Sequence, residues 1–505
     1  MIINAETLEL ATLADRAFDV CVVGTGPAGL SMARSLARQG KTVALMEGGG
    51  RDITFESEEI YEGDIVGADY WPLTSCRKRF LGGSSNCWSG VCRELDEVDF
   101  APKPYDTPSG WPIGAADLQP YAAETDAILT LPAAGGALRC AFGEDAAPLR
   151  PIELRYTGNA RLGPRFAAEL AADQRITLHI NANLVDLELD DRLQAVRAAV
   201  FRSFERPEPF EIRAKAYVLC LGGLENPRFL LNADRQVAGG IGNAHGLVGR
   251  YFNEHPHQEI GRVLLASPLR NREVYAPLPS FMADREILNF ALLLIPDVRQ
   301  LALPNEIART IVCQTSFTER LAAAVHGKRF KCTEGGIGAY LAQWQEPETM
   351  LTAKVDMMAE QALNPSSRVR LGQETDRFGL RRIELDWRFS EIDYRTVQTA
   401  AMTFGRLLAE HDIGRLQLNP WLTNGEGVFP GPDEARVGGP HHMCTTRMSD
   451  SPRQGVVDRN CRIHGMDNLY LGGSSVFGSG GFANPTYTIV QLALRLADHL
   501  ASEVA

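Results

Sequence analysis

The stretch FDVCVVGTGPAGLSMARSLARQGKTVALMEGGG, residues 18–50, decides the fold of the chain. Its apolar run 20–23 predicts a buried parallel strand, because both faces are hydrophobic and small residues end the run abruptly. Gly24 then permits a tight turn, Gly26 lets a pyrophosphate approach the backbone, and Gly29 lets the following helix lie close to the strand. The amino end of that helix would face the phosphates with its positive dipole.

The rest of this stretch predicts a helix and a second strand. Pro27 suits the first helical position, where a missing N–H costs nothing. Residues 42–46 predict a second buried strand, and Glu47 stands at its end. A carboxylate there can accept both hydrogen bonds of an adenosine ribose and would repel a 2′-phosphate. The whole stretch therefore predicts an ADP-binding half-site.

Length and charge limit the class of protein. The 505 residues predict two or more domains, and the net charge of −12 argues against a nucleic-acid partner. No apolar run reaches membrane-spanning length, and no basic head precedes an apolar stretch at the amino end, so we expect a soluble protein of the cytoplasm. The ten cysteines lack the spacing of a disulfide scaffold, and no CxxC pair occurs. We therefore expect reduced thiols and no metal site.

The middle of the chain alternates between small-residue turns and strand patterns. RFLGGSSNCWSGVCR, residues 79–93, could present backbone N–H groups to an anion or be an ordinary turn, and its residues alone leave both open. AADLQPYAAETDAIL, residues 115–129, predicts one helix. Strand patterns from residue 176 end in the apolar run 216–221, which predicts a return to the first sheet. GGIGNAHG, residues 239–246, follows a polar segment and is interpreted as a loop, which leaves one dinucleotide-binding fingerprint.

The C-terminal segment places small residues after another apolar strand. NLYLGGSS, residues 468–475, predicts this strand and the turn that ends it. Residues 486–500 predict a helix with an apolar stripe, and its start at Asn484 and Pro485 would aim the amino end of the helix inward. The chain is thus expected to return, at its end, to the domain in which it began.

Several motifs lie in one order along nearly the whole chain. They are the GTGPAG start with Glu47, LGGSSNCWSG, YVLCLGGLENPRFLL, VGRYFNEHP, EQALNPSSRVRL, HHMCTTRM, VVDRNCRIHGMDNLYL and FANPTYT. Together they resemble the glucose–methanol–choline (GMC) family of FAD-dependent oxidoreductases. Within it the sequence is most similar to the branch with pyranose 2-oxidase, glucoside 3-dehydrogenases and C-glycoside 3-oxidases. The resemblance implies an α/β fold with a Rossmann-like FAD-binding domain, and a second, substrate-binding domain built on a mixed or antiparallel sheet with helices.

The expected domain boundaries divide the chain into five segments. Residues 14–100, 161–250 and 436–505 are expected to form a discontinuous FAD-binding domain. Residues 101–160 would be a cap or linker segment. Residues 251–435 would form the substrate-binding domain.

The resemblance also implies a catalytic pair. The family's catalytic histidine falls on His441, and the second catalytic position falls on Asn484. A neutral imidazole would accept the hydroxyl proton, and the amide would orient the hydroxyl and the forming carbonyl oxygen. His442 is the rival base and would otherwise point into packing, while His464 is interpreted as a surface or structural histidine. Cys444 replaces the usual glycine of the motif and would narrow the pocket.

Contacts to FAD are implied for residues near every small-residue turn. These residues are Gly24, Gly26, Pro27, Gly29, Glu47, Gly83, Ser84, Asn86, Cys87, Trp88, Ser89, Leu184, Gly473, Ser474, Pro485 and Thr486. Many family members have Asp at the position of Gly473, so contacts there would come from backbone N–H groups. Cys87 occupies the position that carries a covalent flavin link through histidine in some members. A thioether to the flavin is one alternative, and FAD bound without a link is the expectation.

The implied reaction is oxidation of an alcohol by proton abstraction at His441 and hydride transfer to flavin N5. The first expectation for the substrate is a secondary hydroxyl of a sugar or glycoside, with oxygen, a quinone or a redox protein as electron acceptor. A primary or aryl alcohol is the second. The alternatives of another class are a lyase that holds FAD as a structural element and a flavin-binding subunit that is active only in a complex.

Overall fold

The structure is a computed structural model. It describes residues 1–504 except for the segments 8–16, 143–146, 159–160, 300–347 and 431–438 and the single positions 137, 139, 207, 270, 426 and 428. The strands are β1 (Ile2–Asn4), β2 (Ala17–Val23), β3 (Val43–Met46), β4 (Gly63–Ile65), β5 (Val91–Cys92), β6 (Leu149–Pro151), β7 (Arg155–Tyr156), β8 (Ile176–Ile180), β9 (Asn183–Leu189), β10 (Val196–Arg202), β11 (Phe210–Leu219), β12 (His257–Leu265), β13 (Glu273–Pro277), β14 (Phe290–Arg299), β15 (Glu348–Ala359), β16 (Arg368–Thr375), β17 (Arg381–Asp386), β18 (Gly414–Leu418) and β19 (Leu469–Leu471). The helices are α1 (Pro27–Arg38), α2 (Phe55–Glu59), α3 (Glu97–Phe100), α4 (Ala115–Leu118), α5 (Ala122–Leu129), α6 (Leu162–Ala172), α7 (Gly222–Asn232), α8 (Pro279–Arg285), α9 (Glu391–Glu410) and α10 (Thr486–Glu503).

The largest sheet joins distant parts of the chain. Its order is β1-β8-β3-β2-β11-β10-β9, and β19 pairs in parallel with the end of β11. β2 lies in parallel between β3 and β11, with Val20 opposite Val43 and Ala216. These parallel strands are buried on both faces, as their continuous apolar runs predict. The expected α/β fold class is therefore confirmed, and the strand predicted within residues 468–475 is β19.

The helices that follow β2 and end the chain pack together. α1 has Pro27 at its first position, as predicted, and its N-cap is Gly26. α10 packs against α1, and Leu30 of α1 and Leu496 of α10 belong to one hydrophobic core with the sheet. Burial of these apolar stripes stabilises both helices far more than their intrinsic propensities do.

A second sheet is antiparallel throughout and has six strands in the order β18-β12-β15-β14-β13-β6. The amphipathic pattern of residues 391–411 predicts one long helix, which is α9. It packs against β15 and β18 and buries Phe404 and Leu408 in a second hydrophobic core. A smaller sheet has the order β16-β17-β4, with β4 parallel to β17. Residues 239–246 form turns, as the sequence predicts.

Three details differ from the expected layout. The single helix expected over residues 115–129 is broken into α4, a 3₁₀ turn and α5, because Pro120 has no N–H and its ring clashes with the preceding turn. β6, from the expected cap segment, joins the six-stranded sheet. β4, from the first expected FAD-binding segment, pairs with β17. The domain boundaries themselves stay a prediction.

Buried charges link the segment after α3 to the segment after β15. The ammonium of Lys103 lies 2.9 Å from the carboxylate of Glu360, and both side chains are almost fully enclosed. Nearby, Asp106 accepts the backbone N–H of Leu363 at 3.1 Å with one oxygen. Its other oxygen is buried without a hydrogen-bond partner among the described residues.

The described part of the chain contains neither a disulfide bond nor a helix that could span a membrane. Of the ten cysteines, eight lie in it and all eight are free thiols. None of the helices seen there combines the length and the apolar character that crossing a membrane requires.

Candidate active site

A cavity of about 740 Å³ opens at the carboxyl ends of the parallel strands. The turns that follow β2, β3, β11 and β19 line it, and so does the start of α10. Ligands of open α/β sheets bind at this edge, where the strand order reverses and the turns diverge. Here β2 lies at that point, since β3 follows on one side and β11 on the other.

The glycines of the β2–α1 turn have three different roles. Gly24 has a φ of +107°, which favours glycine, and a Cβ there would lie 2.4 Å from the carbonyl oxygen of Cys220. A Cβ at Gly29 would lie 1.8 Å from the carbonyl oxygen of Gly24, so only glycine lets α1 pack this closely. A Cβ at Gly26 would meet no atom within 4 Å, so the backbone there is open to a ligand in the cavity.

Glu47 lines the cavity but is already engaged by the protein. One carboxylate oxygen accepts the N–H of Thr25 at 3.1 Å and the hydroxyl of the same residue, and the other accepts the N–H of Gly49 at 2.9 Å. The carboxylate therefore fixes the β2–α1 turn. An ionised carboxylate has about four accepting positions, so one remains for a ribose hydroxyl, and that role of Glu47 stays a prediction.

The turn after residue 79 lies directly against the β2–α1 turn. The N–H of Gly82 donates to the hydroxyl of Thr25 at 3.0 Å, and residues 83–86 form a short 3₁₀ helix. The Asn86 amide donates to the carbonyl oxygens of Leu81 and Gly83, at 3.0 and 2.9 Å. Asn86 thus holds the turn together and does not line the cavity.

Most of the other predicted FAD contacts line the same cavity. They are Pro27, Gly83, Ser84, Cys87, Trp88, Ser89, Leu184, Gly473, Ser474, Pro485 and Thr486. Gly29 and Asn86 do not line it, because both act inside the turns that form its wall. The thiol of Cys87 faces the carbonyl oxygen of Ser84 at 3.3 Å, and burial raises its pKa above the usual value.

Basic residues that the sequence analysis did not select also line the cavity. Arg77 forms a buried ion pair with Glu225 at 2.8 Å and lies 3.9 Å from the ring centroid of Tyr61. Arg79 packs so closely on the backbone that a Cβ at Gly48 would lie 2.3 Å from its guanidinium. The run Arg77-Lys78-Arg79, directly before the small-residue turn, was the available signal. Cations there suit the phosphates of a dinucleotide.

His441 and Asn484 meet at the cavity wall. The Nε2 atom of His441 lies 3.2 Å from the side-chain nitrogen of Asn484, and both residues line the cavity. Asn484 lies two residues before the start of α10, while His441 lies two residues before Met443, which bridges to Asn253. A Cβ at Gly439 would lie 2.7 Å from the His441 ring, so the chain needs a glycine there.

Two consecutive residues, Glu254 and His255, hold His441 from the other side. The Glu254 carboxylate accepts the backbone N–H of His441 at 2.7 and 2.9 Å and is also bonded by the Tyr70 hydroxyl. The Nδ1 atom of His255 lies 3.0 Å from Nδ1 of His441. Both side chains belong to the motif VGRYFNEHP, which carries part of the resemblance but predicts no role for them. Nothing local reveals a contact across 186 residues.

The electrostatics of this cluster keep its histidines neutral. Burial, and then the neighbouring His255, His257 and His442, hold the pKa of His441 well below its usual range. Burial lowers the pKa of His255 to about 3 and raises that of Glu254 to about 7. A neutral imidazole can accept a proton, which an imidazolium cannot.

The rival histidines lie in different surroundings. His442 packs against the rings of Tyr70 and Phe252, with centroids 5.9 Å away in both cases, although it also lines the cavity. Its Nε2 atom is buried with no hydrogen-bond partner among the described residues. His464 lies outside the cavity lining, with Nε2 2.9 Å from the carbonyl oxygen of Ser449. Cys444 is fully buried and has a φ of +66°, a conformation that favours glycine.

Three histidines come close enough to share a metal ion, although the sequence predicts no metal. One ring nitrogen from each of His255, His257 and His441 lies within 4.8 Å of the others. The Nδ1 atoms of His255 and His441 are also close enough for a direct hydrogen bond without a metal. The prediction of no metal remains untested.

The cavity brings the β2–α1 turn together with the pair of His441 and Asn484, an arrangement that suits a dinucleotide-dependent oxidoreductase. Residues 364–493 match the family model of GMC oxidoreductases, and residues 19–55 match that of an FAD binding domain. The C-terminal part of the chain is therefore similar to GMC oxidoreductases, and FAD is the cofactor that the two matches indicate.

Similar proteins of known activity cover nearly the whole chain. 6′′′-Hydroxyparomomycin C oxidase of Streptomyces lividus is 22% identical, over 97% of this chain and 93% of that protein. 2-Methyl-1,2-propanediol dehydrogenase of Mycolicibacterium austroafricanum is 24% identical, over 97% and 96%. Among solved structures, pyridoxine 4-oxidase from Mesorbium loti has a TM-score of 0.55 at 16% identity, covering 95% of this chain and 99% of that chain. This likeness shows the shared fold.

The residues present fit FAD. The open backbone at Gly26 and the guanidinium of Arg79 suit the phosphates, and the cavity extends from Glu47 to His441. The side-chain oxygen of Asn484 is buried without a hydrogen-bond partner among the described residues, so the site holds an unused acceptor beside His441.

Proposed function

We propose that the chain oxidises an alcohol with FAD as its cofactor. The observation that carries the proposal is the pair of His441 and Asn484, whose side chains lie 3.2 Å apart on a cavity that also contains the nucleotide half-site. The names of the relatives support it, because one is an oxidase of 6′′′-hydroxyparomomycin C and one a dehydrogenase of 2-methyl-1,2-propanediol.

In this proposal His441 is the general base. Its lowered pKa leaves the imidazole neutral near pH 7, so that Nε2 can take the proton of a substrate hydroxyl. The amide N–H of Asn484 donates to the substrate oxygen and keeps it beside the base. General-base assistance of this kind is typically worth about 10²- to 10⁴-fold in rate.

Bound FAD supplies the hydride acceptor for this reaction. Its phosphates would be held by the β2–α1 turn at Gly24 and Gly26 and by the basic residues around Arg79. Pro485 and Thr486 would contact its other end at the start of α10, where the helix dipole favours negative charge.

The substrate that we propose is a sugar or glycoside oxidised at a secondary hydroxyl. The motif HHMCTTRM, followed by Asn484-Pro485-Thr486, resembles the branch of the family that acts on such compounds. A primary or aryl alcohol is the second candidate, which the relatives named above keep open. Oxygen, a quinone or a redox protein would receive the electrons, and the cytoplasm remains the expected location.

Anaerobic mixing tests the proposal. The purified protein with FAD is mixed with sugars, glycosides and simple alcohols, and bleaching of the yellow flavin band is followed. Bleaching by one class of alcohol supports the proposed reaction and identifies the substrate class. If dithionite bleaches the flavin and no alcohol does, a lyase or a subunit that is active only in a complex is the better interpretation.

A pair of neighbouring variants tests the identity of the base. His441→Ala is expected to keep FAD and to slow flavin reduction by about 10²- to 10⁴-fold, because the proton acceptor is lost. His442→Ala is the matched control and is expected to retain most of the rate, since its ring packs against Tyr70 and Phe252. Stopped-flow absorbance measures both. The reverse ranking would make His442 the base.

The attachment of FAD is tested by precipitating the protein in acid. We expect the yellow colour to be released into the supernatant, because partial desolvation at the cavity wall raises the pKa of the exposed Cys87 thiol and so disfavours the reactive thiolate. Absorbance of pellet and supernatant measures the result. Colour that stays with the pellet in the parental protein, and not in Cys87→Ala, would show a thioether at Cys87.

A further inference from the structure

The segment 253–257 lies along the catalytic histidine and has no role in the reaction described so far. The backbone of Asn253 pairs with that of Met443 in both directions, at 3.1 and 3.0 Å. Through this bridge the next two side chains reach His441: Glu254 binds its backbone N–H, and His255 contacts its ring. The backbone and the ring of the base are therefore fixed by one short segment.

The hydrogen bonds of His255 define where its proton lies. Its Nε2 atom is 3.4 Å from the carbonyl oxygen of Gly480, which can only accept, so Nε2 carries the proton. The ring is fully buried and neutral, and it therefore has only this one proton. Its Nδ1 atom is then bare, and the contact of 3.0 Å to Nδ1 of His441 requires His441 to donate.

The hydrogen bond from His255 also determines where the proton of His441 lies. This neutral ring has its proton on Nδ1, so its Nε2 atom is bare. That atom faces the amide nitrogen of Asn484 at 3.2 Å, and the amide N–H is the donor that a bare Nε2 accepts. The series from the Gly480 carbonyl to the Asn484 amide is thus consistent in the direction of every hydrogen bond.

We propose that His255 is a positioning residue that holds His441 in the tautomer with its proton on Nδ1, and so presents Nε2 as the base. The inference rests on the proposed function, and it adds a requirement that the catalytic pair alone does not contain. In the reaction the substrate hydroxyl takes the place of the Asn484 amide N–H at Nε2. The O–H bond of the alcohol then breaks, its electron pair stays on oxygen, and a new N–H bond forms at Nε2. Nδ1 keeps its proton and its bond to His255 throughout.

Two substitutions of His255 separate positioning from packing. His255→Leu fills a similar space but offers no acceptor to Nδ1 of His441. His255→Asn retains a carbonyl oxygen close to the former Nδ1 position. His464→Leu removes a histidine that bonds a backbone carbonyl outside the cavity lining, and it controls for the general effect of such a loss.

We expect His255→Leu to keep FAD, to leave the KM for the alcohol nearly unchanged and to slow flavin reduction on the order of 10²- to 10⁴-fold. A base held in the wrong tautomer loses about 10⁴-fold in serine hydrolases, which sets the upper end. His255→Asn is expected to recover at least about tenfold over His255→Leu, and a purely structural role would not produce this recovery. A parental rate in His255→Leu overturns the proposal.

Nitrogen-15 NMR of histidine-labelled protein tests the tautomer without turnover. His441 is assigned by comparison with His441→Ala, and its Nε2 is expected to show the shift of an unprotonated ring nitrogen in the parental protein and to lose it in His255→Leu. This measurement stands even if no alcohol reduces the flavin, so failure of the proposed function and failure of this inference are distinguishable. A protonated Nε2 in the parental protein contradicts the inference. So would stoichiometric metal in the purified protein that is lost in both His255 variants, because a metal would replace the hydrogen bond.

Discussion

The side chain of His441 is buried beside other histidines. These surroundings determine how the rate of flavin reduction should depend on pH. An ordinary histidine has a pKa near 6.5 and would be half protonated at that pH. Burial and the neighbouring His255, His257 and His442 lower the pKa of His441 well below this value. We therefore expect the rate of flavin reduction to show no loss with a midpoint near pH 6.5 when pH falls from 8 to about 5.5. Stopped-flow absorbance at saturating alcohol measures this rate.

Glu254 provides the control for that experiment. Burial raises its pKa to about 7, and its carboxylate binds the backbone N–H of His441. A transition near pH 7 that disappears in Glu254→Gln would belong to Glu254. A midpoint near 6.5 that survives in Glu254→Gln and follows the protonation of His441 would contradict the expectation.

At the scale of elements, two glycines of the β2–α1 turn have different functions, one in ligand binding and one in packing. Gly26→Ala is expected to leave the protein without FAD as stable as the parental one, because its Cβ meets no atom within 4 Å, and yet to weaken FAD binding. Gly29→Ala is expected to destabilise the fold by about 1–3 kcal/mol or more, because its Cβ would lie 1.8 Å from the Gly24 carbonyl oxygen. Thermal unfolding of the FAD-free proteins and titration with FAD measure the two effects. Equal losses of stability in both variants would contradict this assignment of Gly26 to FAD binding and Gly29 to packing.

This turn also shows how far the sequence could predict the site. The strand, the glycines, Pro27 and Glu47 lie within one local stretch, so their spacing alone specified the β2–α1 unit. The surroundings of His441 could not be predicted in this way, because His255 reaches it through pairing of segments 186 residues apart. Pro120 shows that a local pattern can also mislead. The apolar pattern of residues 115–129 predicts one helix, but Pro120 has no N–H to donate and the helix is broken there.

At the scale of the whole molecule, the chain begins and ends in one sheet while a second sheet is formed by its middle. β11 lies between β2 and β19 at its carboxyl end, so the residues before α10 are brought to the edge where α1 begins. Asn484 meets His441 at this edge, and the segment of His441 is held there by the bridge between Met443 and Asn253. The segment after β15 is in turn connected to the segment after α3 through buried charges at Lys103, Asp106 and Glu360.

Asp106 makes the stability of this connection dependent on pH. Burial raises its pKa from 3.8 to about 6. A carboxyl group with a raised pKa contributes stability that is complete below its unfolded pKa of 3.8 and is lost as the pH rises through 6. Asp106→Asn keeps an acceptor for the N–H of Leu363 but cannot ionise. Relative to the parental protein, this variant should therefore gain about 2 kcal/mol in unfolding free energy between pH 4 and pH 8.

Chemical unfolding of the two FAD-bound proteins at both pH values measures this difference. Comparing the variant with the parental protein removes the contributions of the buried histidines, which titrate alike in both and oppose the effect of the aspartate. Asp52→Asn, at an exposed position, is the control and is expected to show no such gain. If Asp106→Asn loses stability equally at both pH values, the carboxyl group acts only as a hydrogen-bond acceptor for Leu363 and its charge does not weaken the connection.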